Sequence, residues 1–349
     1  MRHITIPSAL TTGVAPRPQD APAIRWGILG AGWISESFAQ AVTERTASTI
    51  AAVASRDSAK AQTFIDSHLP KDSPATAYGS YEELVGDESL DAIYIGTPHS
   101  HHRDHALLAI RAGKHVLVEK AFTRNAAEAR EVFDAAKEAG VFVLEAMWTR
   151  FLPHIAQVRH ILESRVLGDI IVVSADHGQA FTVGPEHRLL NPDLAGGALL
   201  DLGVYPIAFA HDLLGHPEAI TARGVLTDTG VDGQVSMIFD YPGRTQALLH
   251  TTQWGQTPTV ASIVGTKGRI DIAEAFYRPT SFVHTTYGVS TATYEQDDVL
   301  GLEFEAAEVA RCVSEGRTAS DRMPWQSSIE VMEIMDEVRA QIGVRYPNE

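Results

Sequence analysis

The feature that most constrains this chain is a short apolar strand, IRWGIL, that runs into Gly30-Ala31-Gly32-Trp33-Ile34-Ser35 and then into an amphipathic stretch from Glu36 to Glu44. Each small residue in Gly30-x-Gly32-x-x-Ser35 has a physical task. Gly30 permits a tight turn, and Gly32 lets backbone approach a pyrophosphate. Ser35 keeps the helix close to the sheet while N–H groups at the helix start face the anion. The strand before and the helix after make this a dinucleotide fingerprint rather than a purely structural glycine turn. Trp33 and Ile34, which open the helix, belong to the same candidate cofactor site.

The rhythm continues through TIAAVA, Ala59 to Ser67, DAIYIG, KHVLVE and VFVLEA, with apolar residues on both parities, as strands covered on two faces require. About six such strands over residues 24–146 predict a Rossmann domain with a doubly wound parallel sheet. Beyond Pro153 the pattern changes. GDIIVVSADHG, QVSMIFDY, TQALLHTT and TVASIVG alternate apolar with polar, which predicts a second α/β domain, residues 147–349, with an open and mostly antiparallel sheet. The uncovered face of that sheet asks for a partner subunit. The closing helices, near Leu302–Ser314 and Ser327–Ile342, are expected to pack back across the domains. Residues 1–23, rich in Pro, Thr and Ala and without a period, read as a loose arm.

Length and charge narrow the function classes. The 349 residues suit two packed domains. A formal net charge of −16 at pH 7 repels phosphate backbones and anionic lipid surfaces, so neither nucleic acid nor a membrane is an expected partner. The single cysteine, Cys312, makes no internal disulfide, and neither a signal peptide nor an uninterrupted apolar run of bilayer length stands out; a soluble, cytoplasmic setting is the expectation.

The type of dinucleotide is read at the end of the second strand, where an Asp or Glu would bond the ribose hydroxyls of NAD. This chain has Ser55-Arg56 there, with Lys60 one turn into the next helix. A hydroxyl and a guanidinium suit a 2′-phosphate, although Asp57 adds an opposing charge. NADP(H) is the expected cofactor and NAD(H) the alternative.

After the fourth strand come Gly96-Thr97-Pro98-His99-Ser100-His101-His102 and then Gly113-Lys114-His115-Val116-Leu117-Val118-Glu119-Lys120-Ala121; later comes Gly196-Gly197-Ala198-Leu199-Leu200-Asp201-Leu202-Gly203-Val204-Tyr205-Pro206. In this order the chain resembles the Gfo/Idh/MocA oxidoreductases over about residues 24–346. Within them, EAMWTRFLP at Glu145–Pro153 and a Tyr in place of the usual His resemble the dimeric dihydrodiol dehydrogenase branch, which includes NADP-linked D-xylose dehydrogenases. The resemblance implies cofactor contacts at Thr97, Pro98, His102, Glu119 and Lys120, substrate contacts at Arg188, Tyr277 and Phe304, and pairing of subunits by the open sheet as a homodimer or dimer of dimers. Trp148, Arg150 and Phe151, where the chain leaves the sixth strand, are further candidates for the cleft wall. Two positions depart from the family pattern: His99 replaces an Asn, and Ala121 replaces a Pro that is sometimes cis, a geometry far more costly before Ala.

Hydride exchange between nicotinamide and a carbinol needs one group to hold the hydroxyl proton in both directions. Asp201 and Tyr205, four apart in an apolar run, fall on one face of a helix beginning near Ala198. A free tyrosine titrates near pH ~10, and an ammonium such as Lys120 would lower that value. The expected division is Tyr205 as acid/base, Lys120 tuning it and bonding the reacting oxygen, and Asp201 orienting Lys120 or a substrate hydroxyl, with Lys120 as the alternative proton holder. The substrate class is a sugar, polyol or cyclic trans-diol. The competing readings are an NADPH-dependent keto-sugar reductase and a non-catalytic dinucleotide sensor. His99, His101, His102 and His105 evoke a metal site, but they lack a converging set and lie in the family's cofactor loop, so no metal is expected.

Overall fold

The computed structural model describes residues 2–347 and 349. The chain opens with a strand and not with a loose arm. β1 (Arg2–Ile6) lies parallel to Ser290–Tyr294, and a helical turn, α1 (Ala9–Thr12), follows with Ser8 as its cap. The pairing partner is nearly the whole chain away, and backbone pairing demands little of the side chains, so composition alone suggested disorder. Ala9 and Ala15 are buried, which fixes the arm in place.

Two compact units follow, one of Arg17–Trp148 and Leu300–Ile329, the other of Met1–Pro16, Thr149–Val299 and Glu330–Glu349. The sequence division at residue 147 therefore falls two residues early, and it misplaces residues 300–329 and the arm. In the first unit the elements are β2 (Arg25–Leu29), α2 (Trp33–Arg45), β3 (Thr49–Ala54), α3 (Ser58–His68), β4 (Thr76–Tyr78), α4 (Tyr81–Val85), β5 (Ala92–Ile95), α5 (His102–Arg111), β6 (His115–Glu119), α6 (Ala126–Ala139) and β7 (Val143–Ala146). The six strands are all parallel in the order β4-β3-β2-β5-β6-β7. Every residue of β5 and β7 is buried, in keeping with strands covered on both faces. The strand order reverses beside β2, where open α/β sheets bind ligands at their carboxyl ends.

The second unit continues with α7 (Pro153–Glu163), β8 (Ile170–Gly178) and α8 (Val204–Leu214). Seven strands come next: β9 (Ala219–Leu226), β10 (Asp232–Asp240), β11 (Gln246–Thr252), β12 (Ala261–Gly265), β13 (Gly268–Ile272), β14 (Phe282–Thr286) and β15 (Ser290–Tyr294). With β1 they form a nine-stranded sheet, β1-β15-β14-β13-β12-β8-β11-β10-β9, in which β1 with β15 and β8 with β11 run parallel and the other pairs antiparallel. Val235, Met237 and Phe239 of β10 are buried while Ser236 and Ile238 between them are not, the alternation of a sheet with one face on helices. Of the closing helices, α9 (Glu303–Ser314) packs on α2 in the first unit, and α10 (Trp325–Ile342) is divided between the units at Glu330. One stretch, Pro192–Leu214, does reach the length and apolarity of a bilayer span, against the expectation that none would. Its most apolar 18 residues are 94% buried within the fold and serve as core.

Candidate active site

In the parallel unit the candidate residues gather at the carboxyl ends of the strands. Gly30 adopts φ +97°, a region that L side chains rarely enter, and a Cβ there would press on Gly96 O and Thr97 Cγ2 at 3.0 Å. Gly32 has an ordinary φ, but a Cβ on it would meet nothing within 4 Å, so its peptide faces open space at the start of α2. Ser35 is wholly buried and its hydroxyl donates to Gly30 O at 2.6 Å, tying the helix to the turn. Trp33, 61% exposed, and Ile34 flank the same helix start. An open cradle of glycine peptide before a thirteen-residue helix fits a dinucleotide pyrophosphate.

Ser55 follows β3 with its N–H on Tyr78 O at 3.3 Å. Arg56 and Lys60 are exposed beyond it. Asp57 caps α3, accepting from Ala59 N at 2.9 Å, so its charge is partly spent on the helix start. The Arg56 guanidinium reaches Tyr81 electrostatically, countering the burial that pushes that phenol up. Pro98 is exposed, and Thr97 Oγ1 bonds His105 Nδ1 at 2.9 Å. His102 faces Ala121 O with Nδ1 at 2.9 Å and Thr97 O with Nε2 at 2.7 Å, joining the two motif segments. Burial pushes its pKa down to about 4, so at neutral pH the ring has one N–H to give and the other nitrogen faces a carbonyl without a proton.

Around Lys120 the backbone is held by carboxylates. Glu119 Oε2 accepts Lys120 N–H at 3.2 Å, Glu119 Oε1 accepts the Tyr94 hydroxyl at 2.6 Å, and Glu145 Oε1 accepts Phe122 N–H at 3.2 Å. The Lys120–Ala121 bond is cis, although the alanine argued against that geometry; the peptide groups on either side of it are fixed by the two glutamates. His101 and His105 stack at 5.5 Å, and among the described residues no cluster of three or more ligating groups is arranged to hold a metal.

The second unit builds its part from residues far apart in sequence. Leu199–Gly203 forms a π-helical turn that leads into α8, so the helix starts near Ala198 but is wider in its first turn than the even spacing assumed. It buries Asp201 and Tyr205. Arg188 grips Asp201 with both arms, at 3.1 and 3.3 Å, bringing together two of the residues singled out from sequence. The Tyr205 ring lies 4.4 Å from Tyr277 and 5.3 Å from His177, and His177 stacks on Tyr277 at 4.3 Å. His177 Nδ1 donates to Leu202 O at 3.2 Å, which leaves Nε2 to accept from Gln179 Nε2 at 3.0 Å; that amide also reaches the Tyr277 hydroxyl at 3.4 Å. Burial pushes the Tyr277 phenol up.

His177 and Gln179 escaped the sequence reading. Their only sequence signal is polar side chains ending the apolar strand β8. Other candidates are accounted for by packing. Arg150 pairs with Asp212 at 3.0 Å, beside Arg159 on the same carboxylate at 2.6 Å. Phe151 and Phe304 are buried and present almost no surface to a ligand, because apolar rings on buried faces are drawn into the core. Trp148 remains partly exposed.

Comparison with known proteins places the two folds in a family. Residues 24–147 match the oxidoreductase family with an NAD-binding Rossmann fold, and residues 155–271 match the GFO/IDH/MocA C-terminal domain. The chain belongs to the Gfo/Idh/MocA oxidoreductase family. It is 38% identical to a trans-1,2-dihydrobenzene-1,2-diol dehydrogenase of Xenopus laevis, over 93% of this chain and 100% of the relative. It is 35% identical to a D-xylose 1-dehydrogenase (NADP(+)) of Hypocrea jecorina, over 93% of each. A 3-ketoreductase from Actinomadura kijaniata, solved with NADP and TDP-benzene, shares the fold with a TM-score of 0.81 at 24% identity, over 92% of this chain and 98% of that one. This Gfo/Idh/MocA member is thus an NAD(P)-binding oxidoreductase.

Proposed function

We propose that this oxidoreductase moves a hydride between NADP(H) and the carbinol carbon of a sugar, polyol or cyclic trans-diol. The observation that carries the substrate class is the cluster of Tyr205, His177 and Tyr277 beside the Arg188–Asp201 pair. Stacked rings suit the apolar face of a small ring, and the flanking charged pair and Gln179 suit its hydroxyls. The relatives named for a trans-dihydrodiol and for D-xylose support the same class.

The nicotinamide supplies the hydride acceptor or donor when bound. The chain supplies the proton chemistry. Tyr205 takes the hydroxyl proton as hydride leaves the carbon and returns it in the reverse direction. Lys120 stabilises negative charge on the reacting oxygen. Asp201, held by Arg188, orients a substrate hydroxyl. The 2′-phosphate of NADP is met by Ser55, Arg56 and Lys60. Lys120→Met and Tyr205→Phe are each expected to lower kcat by about a hundredfold or more, with the Kd for NADPH unchanged in Tyr205→Phe. The assay follows nicotinamide absorbance with NADP+ and NAD+ in parallel against aldoses, inositols and cyclic trans-diols. Near-normal turnover in both variants overturns the mechanism; tight NADPH binding with no turnover on the panel overturns the substrate class and favours keto-sugar reduction or a sensor.

The same reading covers the outer face of the nine-stranded sheet. Ile238 and Leu248, 42% and 45% exposed, line an open hollow of about 740 Å³ with Arg223, His250, Asp176 and Asp271. Apolar residues beside charges of both signs make a self-complementary surface, and a second copy of this chain is the proposed occupant. Sedimentation is expected to find a homodimer that Leu248→Glu converts to monomer. A monomeric wild type rules the surface out.

A further inference from the structure

Behind the helix that carries Asp201 and Tyr205 lies a carboxylate with no part in the chemistry above. Asp232, the first residue of β10, is wholly buried. Its Oδ2 accepts Leu199 N–H at 2.6 Å, in the first turn of the π-helical segment, and Ala198 N–H is near enough to favour its charged form. Its Oδ1 makes no hydrogen bond among the described residues. Gly197 is what admits it: φ is +120°, and a Cβ at that position would collide with Asp232 Oδ1. The second glycine of the Gly196-Gly197 pair is therefore required by this carboxylate.

The other neighbours brace the same spot. The Tyr346 hydroxyl donates to Gly196 O at 2.7 Å, and the Arg339 guanidinium lies 4.9 Å from the Tyr346 ring centre while pairing with Asp336 at 2.7 Å and Glu349 at 2.8 Å. The charged and titratable groups facing Asp232 are thus Arg339 from α10 and Tyr346 from the C-terminal segment, with Glu349 behind them. Burial outweighs the Arg339 charge and the N–H bonds, and raises the Asp232 pKa to about 6.

The start of a helix leaves several N–H groups without intrahelical partners, and an acid placed there holds them by charge as well as by geometry. Leu199 is two residues before Asp201 and six before Tyr205, so a shift at Leu199 is carried to both. We propose that Asp232 is a positioning residue for the reaction, fixing through Leu199 and Ala198 the helix that presents Asp201 and Tyr205. The proposal rests on the reading that those two side chains serve the chemistry.

The test is Asp232→Asn in the full-length chain, which keeps the shape and removes the charge. kcat and KM are measured across pH with NADP+ and D-xylose, or the best carbinol of the panel above, together with amide hydrogen exchange over residues 198–205. The expected result is a loss of about tenfold in kcat, an unchanged KM for NADP+, and faster exchange in that segment. As pH falls through about 6 the wild-type carboxylate takes up its proton, so wild-type kcat declines there and the variant lacks that acid limb. Unchanged kcat and exchange overturn the proposal; faster exchange with unchanged kcat reduces Asp232 to a helix cap and also overturns it. Tyr205→Phe measured alongside separates the failures. A fully active Y205F overturns the reading of Tyr205, whereas an inactive Y205F beside a fully active D232N overturns the role of Asp232 alone. Should D232N not fold, the wild type still decides: kcat and the protection factors of residues 198–205 that fall together as pH drops through about 6 support the proposal, and protection factors that hold constant there overturn it.

Discussion

The parallel unit and the nine-stranded unit hold polar side chains in place by different physical means. In the parallel unit each cluster belongs to a segment that directly follows a strand: the Gly30–Ser35 turn after β2, Ser55-Arg56 after β3, Thr97–His102 after β5, Lys120 after β6. Neighbouring backbone holds the glycine turn, as Ser35 on Gly30 O shows, while the carboxylates of Glu119 and Glu145 hold the backbone on either side of Lys120 and Ala121. In the nine-stranded unit, side chains hold groups across long stretches of chain, as in His177 on Leu202 O, Gln179 on the Tyr277 hydroxyl and Asp232 on Leu199 N–H. A site built by local turns is constrained mainly by residue type within a few positions, whereas one built by long-range contacts depends on the whole sheet being in register.

The sharpest way to probe that contrast is cofactor choice, which on the local scheme is decided by the few residues after β3. Replacing Arg56 by Ala removes charge-assisted bonds to a 2′-phosphate, each contributing about 1.5–3 kcal/mol. kcat/KM for NADP+ is expected to fall by about ten- to a hundredfold while that for NAD+ hardly moves. Equal losses with both cofactors would show that Arg56 holds the turn itself and leave the choice of cofactor to other residues.

The same contrast explains what was legible in the amino acids. The six parallel strands, the glycine turn and the order of the motifs are local patterns, and all reappear in the fold. Asp201 and Tyr205 could be grouped from sequence because they lie four apart in one apolar run, and both are buried in the helix that begins near Ala198. The Arg188–Asp201 pair was named without its contact, since a guanidinium 13 residues away has no periodic relation to the acid. His177 and Gln179 were missed because what places them beside Tyr277 is the sheet, not their neighbours. β1 was mistaken for a loose arm for that reason too: RHITI is a short strand whose partner lies near the other end of the chain. Asp232 stood out in no sequence pattern, because what gives it a place is the distant Gly197 and Leu199.

A smaller effect separates the units by acid. His102 in the parallel unit and His154 in the nine-stranded unit are both wholly enclosed, and burial pushes each down to about 4 from 6.5. Unfolding frees each ring to take a proton below its ordinary value, while the fold resists protonation until about 4. Their stabilisation is therefore intact above pH ~6.5 and is lost as pH falls toward 4. At about pH 5 each accounts for a loss of about 2 kcal/mol relative to neutrality. Thermal melts across that range are expected to fall steeply in the wild type and less steeply in His102→Asn and in His154→Asn. If the two units melt separately, each variant flattens its own transition only. An unaltered pH slope in both variants would mean that other groups control acid unfolding.

The smallest of these effects concerns the strand that composition concealed. Tyr294, at the end of β15, stacks on Phe282 with ring centres 5.0 Å apart, donates its hydroxyl to Asp297, and lies 3.4 Å from the N–H of Ala9. Its hydroxyl ties the turn after β1 to the sheet, beyond the backbone pairing of the strand itself. Tyr294→Phe keeps the ring and its stack and deletes the hydroxyl, so the expected cost is about 1 kcal/mol, the net worth of an ordinary hydrogen bond. If β1 is held chiefly by its ladder with Ser290–Tyr294, amide exchange over residues 2–6 stays slow in the variant while residues 9–12 exchange faster. If both segments open together, the hydroxyl anchors the whole arm and the strand is only as stable as that one contact. Unchanged exchange in both segments would mean that the buried faces of Ala9 and Ala15 suffice, and that the arm belongs to the sheet by packing rather than by polar attachment.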